Sequence, residues 1–200
     1  MLYIQLIKVQ MSKQSNMSNL KTLIDRSSTF KNSFSNSELP ALPKYRTVIL
    51  TCADARVDPA HIFSLDLGDS VVIRNTGGRV TSSTLEEIAT LAFMVGKMDE
   101  AKGEAEVFEI IILHHTHCGA QRFADPEFQK VLKTQTGVDV SSLAITDHIK
   151  SLQEDIHRLI EATNVPDHVI VSGSLYDVKT GETKMIFEPN QLRELRMAIL

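Results

Sequence analysis

The two cysteines of the chain, Cys52 and Cys118, are the residues best suited to chemistry. Each one follows an apolar, strand-like stretch, and each has polar neighbours that suit a metal site. Cys52 opens the run Cys-Ala-Asp-Ala-Arg, which ends at Arg56, and Cys118 closes the run His-Thr-His-Cys, which begins at His115. Two thiolates and one imidazole make three ligands, the number that a catalytic zinc ion takes when its fourth position is kept for water. The pattern favours a zinc site at Cys52, His115 and Cys118.

Other interpretations of the two cysteines remain open at this point. The pair His115 and Cys118 is a weak half-site on its own, because such spacings occur by chance and buried cysteines often serve as small hydrophobic residues. A two-cysteine redox protein is a further alternative, although Cys52 and Cys118 lack the Cys-x-x-Cys spacing of redox motifs.

Length and composition indicate a soluble globular protein. The 200 residues suit one domain, with 42% hydrophobic and 23% charged residues. A net charge of −4 gives no reason to expect a nucleic-acid partner. No apolar run approaches the roughly 18 residues that a membrane span needs. Two cysteines cannot form a disulfide scaffold, so we expect a reducing compartment, the cytoplasm.

The N-terminal residues differ in composition from the rest of the chain. Residues 1–24 contain three lysines, several serines and no acidic residue. We predict a disordered or processed extension at 1–18 and a single catalytic domain at 19–200. A mitochondrial transit peptide is one alternative for the extension, and a start codon assigned too early, with translation beginning at Met11 or Met17, is another.

Apolar segments of strand length alternate with segments of helical periodicity, which is typical of an α/β domain with a mostly parallel sheet flanked by helices. A turn at 176–181 predicts a closing hairpin and hence an antiparallel strand at one edge. The predicted strands are 47–50, 71–73, 107–113, 168–172 and 184–187, and the predicted helices are 19–34, 58–63, 83–97, 145–162 and 190–199. Ligands of such sheets bind at the carboxyl ends of the strands, where Cys52, Asn75 and His115 fall.

Three motifs, in this order, resemble those of the β-class carbonic anhydrases. They are Cys-Ala-Asp-Ala-Arg from Cys52, Ile-Arg-Asn-Thr-Gly-Gly from Ile73, and His-His-Thr-His-Cys-Gly from His114. The late Gly-Ser-Leu-Tyr-Asp from Gly173 is similar to the end of the family domain. The resemblance covers roughly residues 45–187. Each motif alone is weak evidence, whereas the three together are highly specific.

The resemblance implies a function and a role for each motif residue. Cys52, His115 and Cys118 would bind one Zn²⁺ per chain, and Asp54 and Arg56 would be catalytic. The reaction would be the reversible hydration of carbon dioxide to bicarbonate and a proton by zinc-bound hydroxide, a lyase (carbonate dehydratase) activity. Family members form homodimers or multiples of dimers. In the family, the aspartate either coordinates zinc and closes the site or pairs with the arginine.

Two other functions remain open on the same residues. The chain could hydrolyse carbon disulfide or carbonyl sulfide at the same zinc site, because substrate access depends on the shape of the tunnel. It could also be a non-catalytic zinc-binding interaction protein. Loss of the Asp54–Arg56 pair would indicate that third function, and this chain retains the pair.

The remaining histidines of the third motif receive different predictions. His117 stands where many family members carry aspartate, and a proton-shuttle role is the functional alternative there. His114 precedes a ligand on a strand and so faces the opposite side of the sheet, where we expect a hydrogen-bonded core residue.

Overall fold

One sheet runs through the part of the chain that the computed structural model describes, residues 18–35, 37–103 and 108–199. The strands are β1 (Thr47–Cys52), β2 (Val71–Asn75), β3 (Glu109–His115), β4 (Ile170–Tyr176) and β5 (Thr183–Gln191). They lie in the order β2-β1-β3-β4-β5. The first four in this order are parallel, and β5 pairs antiparallel with β4. This arrangement confirms the predicted α/β fold with an antiparallel edge strand.

In the described part of the chain, four α-helices lie between these strands in sequence, one precedes β1 and one follows β5. The α-helices are α1 (Asn19–Ser33), α2 (Pro59–Ile62), α3 (Ser82–Lys102), α4 (Pro126–Thr136), α5 (His148–Glu161) and α6 (Leu192–Ile199), and short 3₁₀ turns occupy Gly119–Ala124 and Ser141–Leu143. Several of them begin at a side-chain cap, as the carboxylate of Asp147 accepts from the backbone N–H of Lys150 at the start of α5. Such a cap satisfies a donor that the first helical turn leaves unpaired.

The core explains why the central strands are continuously apolar. All six residues of β1 are buried, because helices or loops cover both faces of the sheet at this strand. Alternate residues of β1 belong to different clusters: Leu50 packs in the large cluster with α3 and α5, whereas Ile49 packs with Leu113 and Val57. Burying each such side chain stabilises the fold by about 1.5–3 kcal/mol. This packing on both faces fixes the positions at which β1 and β3 end.

Two element boundaries differ from the predictions for identifiable reasons. Helix α3 continues to Lys102 and is capped by Gly103, which has a left-handed φ of 70°, so the predicted helix 83–97 ends too early. Strand β4 continues to Tyr176 instead of ending at Ser172. Gly173 lies inside the strand because a Cβ there would sit 2.8 Å from the Cδ2 of Leu152, so this glycine makes room for α5 and does not mark a turn.

The chain divides into two compact units, Met1–Glu38 and Leu39–Leu200. In the first unit, Ser18 caps helix α1, because its side chain accepts from the backbone N–H of Leu20. A surface ion pair joins Lys21 to Asp25 one turn later. The predicted N-terminal extension lies outside the described residues apart from Ser18. The second unit holds the whole sheet.

Candidate metal centre

Strand order brings the predicted ligands together. Cys52 is the last residue of β1 and His115 the last residue of β3, and these neighbouring parallel strands end at the same edge of the sheet. Cys118 follows three residues later, at the start of a 3₁₀ turn. The three ligand atoms lie within 4.8 Å of one another, and all three residues are buried. The described residues thus contain a Cys–His–Cys group that could hold a metal ion.

The imidazole of His115 is oriented as a metal ligand would be. Its Nδ1 lies 2.9 Å from the carbonyl oxygen of Thr116, so Nδ1 carries the proton and donates it to that carbonyl. The lone pair is therefore on Nε2, which is buried and has no hydrogen-bond partner among the described residues. Ligating histidines usually donate the other ring N–H to a carbonyl or carboxylate in this way.

The distance between the two sulfurs fits a tetrahedral ion. The Sγ atoms of Cys52 and Cys118 are 3.8 Å apart. A tetrahedral centre with metal–sulfur bonds of about 2.3 Å separates two sulfur ligands by about 3.8 Å. The donor set and its spacing therefore fit zinc.

Backbone N–H groups and a shared proton favour thiolate at Cys52. The hydrogen bond from Cys118 is the largest cause that lowers the pKa of the Cys52 thiol, and His115 and the backbone N–H groups of Asp54 and Gly77 lower it further. The same hydrogen bond raises the pKa of the Cys118 thiol, because the proton on the Cys118 sulfur stabilises the thiolate of Cys52. A soft cation would take the place of that shared proton.

Asp54 and Arg56 form a bidentate ion pair beside the ligands. Arg56 Nε lies 2.9 Å from Asp54 Oδ1, and Arg56 Nη2 lies 2.7 Å from Oδ2. The backbone N–H of Arg56 also donates to Oδ1. The hydrogen bonds from Arg56 hold the pKa of the Asp54 carboxyl well below its usual range. Asp54 Oδ2 lies 4.0 Å from His115 Nε2, so an ionised carboxylate oxygen stands next to the position that the ligands surround.

Arg74 holds the loop that carries Asp54. The sequence did not reveal this contact. Its guanidinium donates to the carbonyl oxygens of Cys52, Asp54 and Val57, at 3.1, 2.7 and 2.7 Å. Asn75, next along β2, accepts from the backbone N–H of Arg79 and donates to its carbonyl oxygen. Both side chains therefore fix loops around the ligands, and the pattern Ile-Arg-Asn gave no indication of which atoms they would bond.

The predictions for the two neighbouring histidines have different outcomes. His114 is 1% exposed, and its Nε2 lies 3.1 Å from Asp155 Oδ2, which confirms a hydrogen-bonded core residue. His117 is exposed, has a left-handed φ of 54°, and accepts from Arg56 Nη2 through its carbonyl oxygen. A proton-shuttle role for its side chain stays a prediction.

Gly78 is the glycine on which the site geometry depends. Its φ is +66°, and a Cβ there would lie 2.8 Å from the backbone nitrogen of Cys52. Gly78→Ala should therefore lower the free energy of unfolding by about 2–5 kcal/mol and reduce the bound metal, since the displaced atoms belong to a ligand. Denaturant unfolding and metal analysis of the purified protein measure both effects.

Gly137→Ala is the matched control for this prediction. Gly137 has a φ of +76°, but a Cβ there would meet nothing within 4 Å. The Gly137→Ala variant should lose only about 1–2 kcal/mol of the free energy of unfolding, from the strain of a left-handed alanine, and its metal content should be unchanged. Equal metal loss in both variants, or none in Gly78→Ala, would show that close packing of Gly78 on Cys52 does not maintain the site.

Comparison with known proteins identifies the family. The family model described as Carbonic anhydrase matches residues 47–169. The chain is 29% identical over 161 residues to Beta-carbonic anhydrase 1 of Mycobacterium bovis, covering 80% of this chain and 90% of that protein. The chain belongs to the β-carbonic anhydrase family. The β-carbonic anhydrase resemblance of the three motifs is thereby confirmed.

A solved structure and a further relative extend the family assignment. The crystal structure of carbonic anhydrase from Streptococcus mutans superposes with a TM-score of 0.72 at 35% identity, covering 85% of this chain and 98% of that one. Carbon disulfide hydrolase of Acidithiobacillus thiooxidans is 26% identical over 162 residues, covering 70% of this chain and 76% of that protein. The chain is thus similar both to proteins named as carbonic anhydrases and to a protein named as a carbon disulfide hydrolase.

No helix among the described residues combines the length and apolar character that crossing a bilayer requires.

Proposed function

We propose that this protein is a zinc enzyme that hydrates carbon dioxide reversibly to bicarbonate and a proton. Cys52, His115 and Cys118 would hold one Zn²⁺ per chain, and Asp54 and Arg56 would be the catalytic pair. The observation that carries the proposal is the Asp54–Arg56 ion pair, whose carboxylate oxygen lies 4.0 Å from the lone-pair nitrogen of His115. A non-catalytic zinc protein would have no use for an acceptor held there.

The chemistry requires a hydroxide near neutral pH. A zinc ion held by these residues would lower the pKa of a water at its fourth position, though less than in a three-histidine site because two thiolates neutralise its charge. Asp54 can accept hydrogen bonds but cannot donate them, because Arg56 keeps its carboxyl ionised. A water or hydroxide beside Asp54 would donate a hydrogen bond to Oδ2, which would hold its oxygen in place for reaction with carbon dioxide.

The side chains around the ligands favour a small apolar substrate. Cys52 and Cys118 belong to a buried apolar cluster with Phe123, Val140 and Ile145. Apolar walls exclude water and strengthen the electrostatic effect of Asp54 on the reacting oxygen. They also offer no hydrogen bonds to a larger polar substrate, which suits a neutral linear molecule.

Zinc analysis and stopped-flow carbon dioxide hydration on the same preparation test this function. We expect about one zinc ion per chain and carbon dioxide hydration that rises from about pH 7 to about pH 9. Folded protein that contains stoichiometric zinc but hydrates no carbon dioxide in that range would refute the proposal.

Carbon disulfide hydrolysis is the second candidate, because the curated relatives include carbon disulfide hydrolases. It would use the same residues, so variants of Asp54 or Cys52 cannot distinguish the two activities. Parallel assays of carbon dioxide hydration and of hydrogen sulfide release from carbon disulfide can distinguish them. Activity confined to carbon disulfide would favour this second candidate.

The other expectations from the family resemblance stay predictions. We propose a homodimer or a multiple of dimers, with residues 19–200 as one catalytic domain after an extension at 1–18. Cytoplasmic localisation likewise rests on composition alone, with mitochondrial import as the alternative.

A further inference from the structure

A buried ionic network lies beneath the metal centre, and the mechanism above does not use it. Arg79 and Asp155 are both fully buried, with Arg79 Nε 2.7 Å from Asp155 Oδ2. The other two nitrogens of Arg79 donate to the carbonyl oxygen of Ala144 at 2.8 Å and to Glu154 at 3.0 Å. Removing such charges from water has a large energetic cost, so the pair needs a reason beyond stability.

The Asp155 carboxylate collects donors from three parts of the fold. Its Oδ1 accepts from the backbone N–H of Val80 at 3.1 Å and from Arg158 Nη1 at 3.0 Å. Its Oδ2 accepts from Arg79 and from His114 Nε2, the latter at 3.1 Å. The carboxylate therefore ties the end of β3 and the loop after β2 to α5.

Two of these connections lead directly to metal ligands. His114 is bonded in sequence to His115, so fixing one imidazole fixes the backbone that carries the other. Arg79 follows Gly78, whose α-carbon packs against the backbone of Cys52. The network thus holds one ligand from β1 and one from β3 at a set separation, without touching the metal position.

We infer that Asp155 is a positioning residue: through His114 and Arg79 it sets the geometry of the metal ligands His115 and Cys52. The inference rests on the proposed metal site, but not on carbon dioxide as the substrate. Partners behind the ligands commonly change metal affinity by about 10–100-fold when they are removed. A merely structural ion pair would change the stability of the fold and leave the ligand geometry as it was.

Asp155→Asn, loaded with Co²⁺ in place of zinc, tests the inference. Asparagine keeps the shape, but its amide nitrogen cannot accept from Arg79 or His114. We expect the visible absorption bands of cobalt to shift or lose intensity, because they depend on ligand geometry. The affinity for Co²⁺, measured by titration, should fall by about 10–100-fold.

Asp99→Asn is the matched control. Asp99 is 1% exposed and pairs with Arg46 at 3.0 Å, next to the start of β1 and so away from the ligand end of that strand. It should lower the melting temperature while leaving the cobalt spectrum and affinity at wild-type values. If Asp155→Asn also leaves both at wild-type values, the network is structural and the inference is wrong.

A pair of milder variants decides the question if Asp155→Asn does not fold. His114→Leu removes one donor to Asp155 and should change the cobalt spectrum, whereas His114→Gln retains a donor and should restore it. Wild-type spectra from both variants would overturn the inference. Cobalt binding is measured without carbon dioxide, so failure of the proposed function leaves this comparison intact. Failure of the wild type to bind cobalt would overturn both.

Discussion

Replacing Asp54 with alanine should leave the metal bound and lower kcat/KM for carbon dioxide hydration by about 10²–10³-fold. Asp54 is not one of the three proposed ligands, and its carboxylate lies 4.0 Å from His115 Nε2. Alanine removes the acceptor that Arg56 holds ionised, so nothing orients the reacting oxygen. Stopped-flow hydration assays and zinc analysis of the same samples measure the two quantities separately.

Asp58→Ala is the control for that experiment. Asp58 lies four residues further along, and its carboxylate caps α2 by accepting from the backbone N–H of Ala60 at 3.0 Å. Its loss should cost about 1 kcal/mol of stability and leave kcat/KM unchanged. If Asp54→Ala retains wild-type activity, Asp54 has no part in the mechanism. If it loses the metal instead, the residue supports the site and does not act on the substrate.

The closeness of Cys52 to His115 could be predicted because it depends on local patterns and one topological rule. Continuous apolar segments predicted buried parallel strands, and parallel neighbours place their carboxyl ends together. Cys52 and His115 end such strands, so their convergence required no knowledge of side-chain packing. The Asp54–Arg56 pair was accessible for a similar reason, since two residues on one tight loop are bound to be close.

The network around Asp155 could not be predicted in the same way. Arg79 and Asp155 are 76 residues apart in sequence, and no periodic pattern specifies a contact between a loop and a helix. The sequence did contain one hint. Asp155 lies between Leu152 and Leu159 on the apolar face of α5, where an acidic residue is expected only if it has a buried partner. That hint reveals the need for a partner without identifying it.

Replacing Cys52 with serine should weaken zinc binding by about 10²–10³-fold. A serine hydroxyl does not ionise near neutral pH and is a harder ligand than thiolate. Complete four-ligand zinc sites contribute about 10–16 kcal/mol, so one ligand accounts for about 2.5–4 kcal/mol, or about 10²–10³-fold in affinity. Competition with a chromophoric zinc chelator measures that change, and carbon dioxide hydration should fall in proportion to occupancy.

The design must separate loss of the metal from loss of the fold. Serine is nearly isosteric with cysteine, so Cys52→Ser and wild-type protein should melt at similar temperatures once a chelator has removed zinc from both. When zinc is added back, the wild type should gain more stability than the variant, because a ligand that binds the native state stabilises it in proportion to the logarithm of its affinity. A variant that binds zinc as tightly as the wild type would remove Cys52 from the ligand set, and the 3.8 Å between its sulfur and that of Cys118 would then reflect core packing alone.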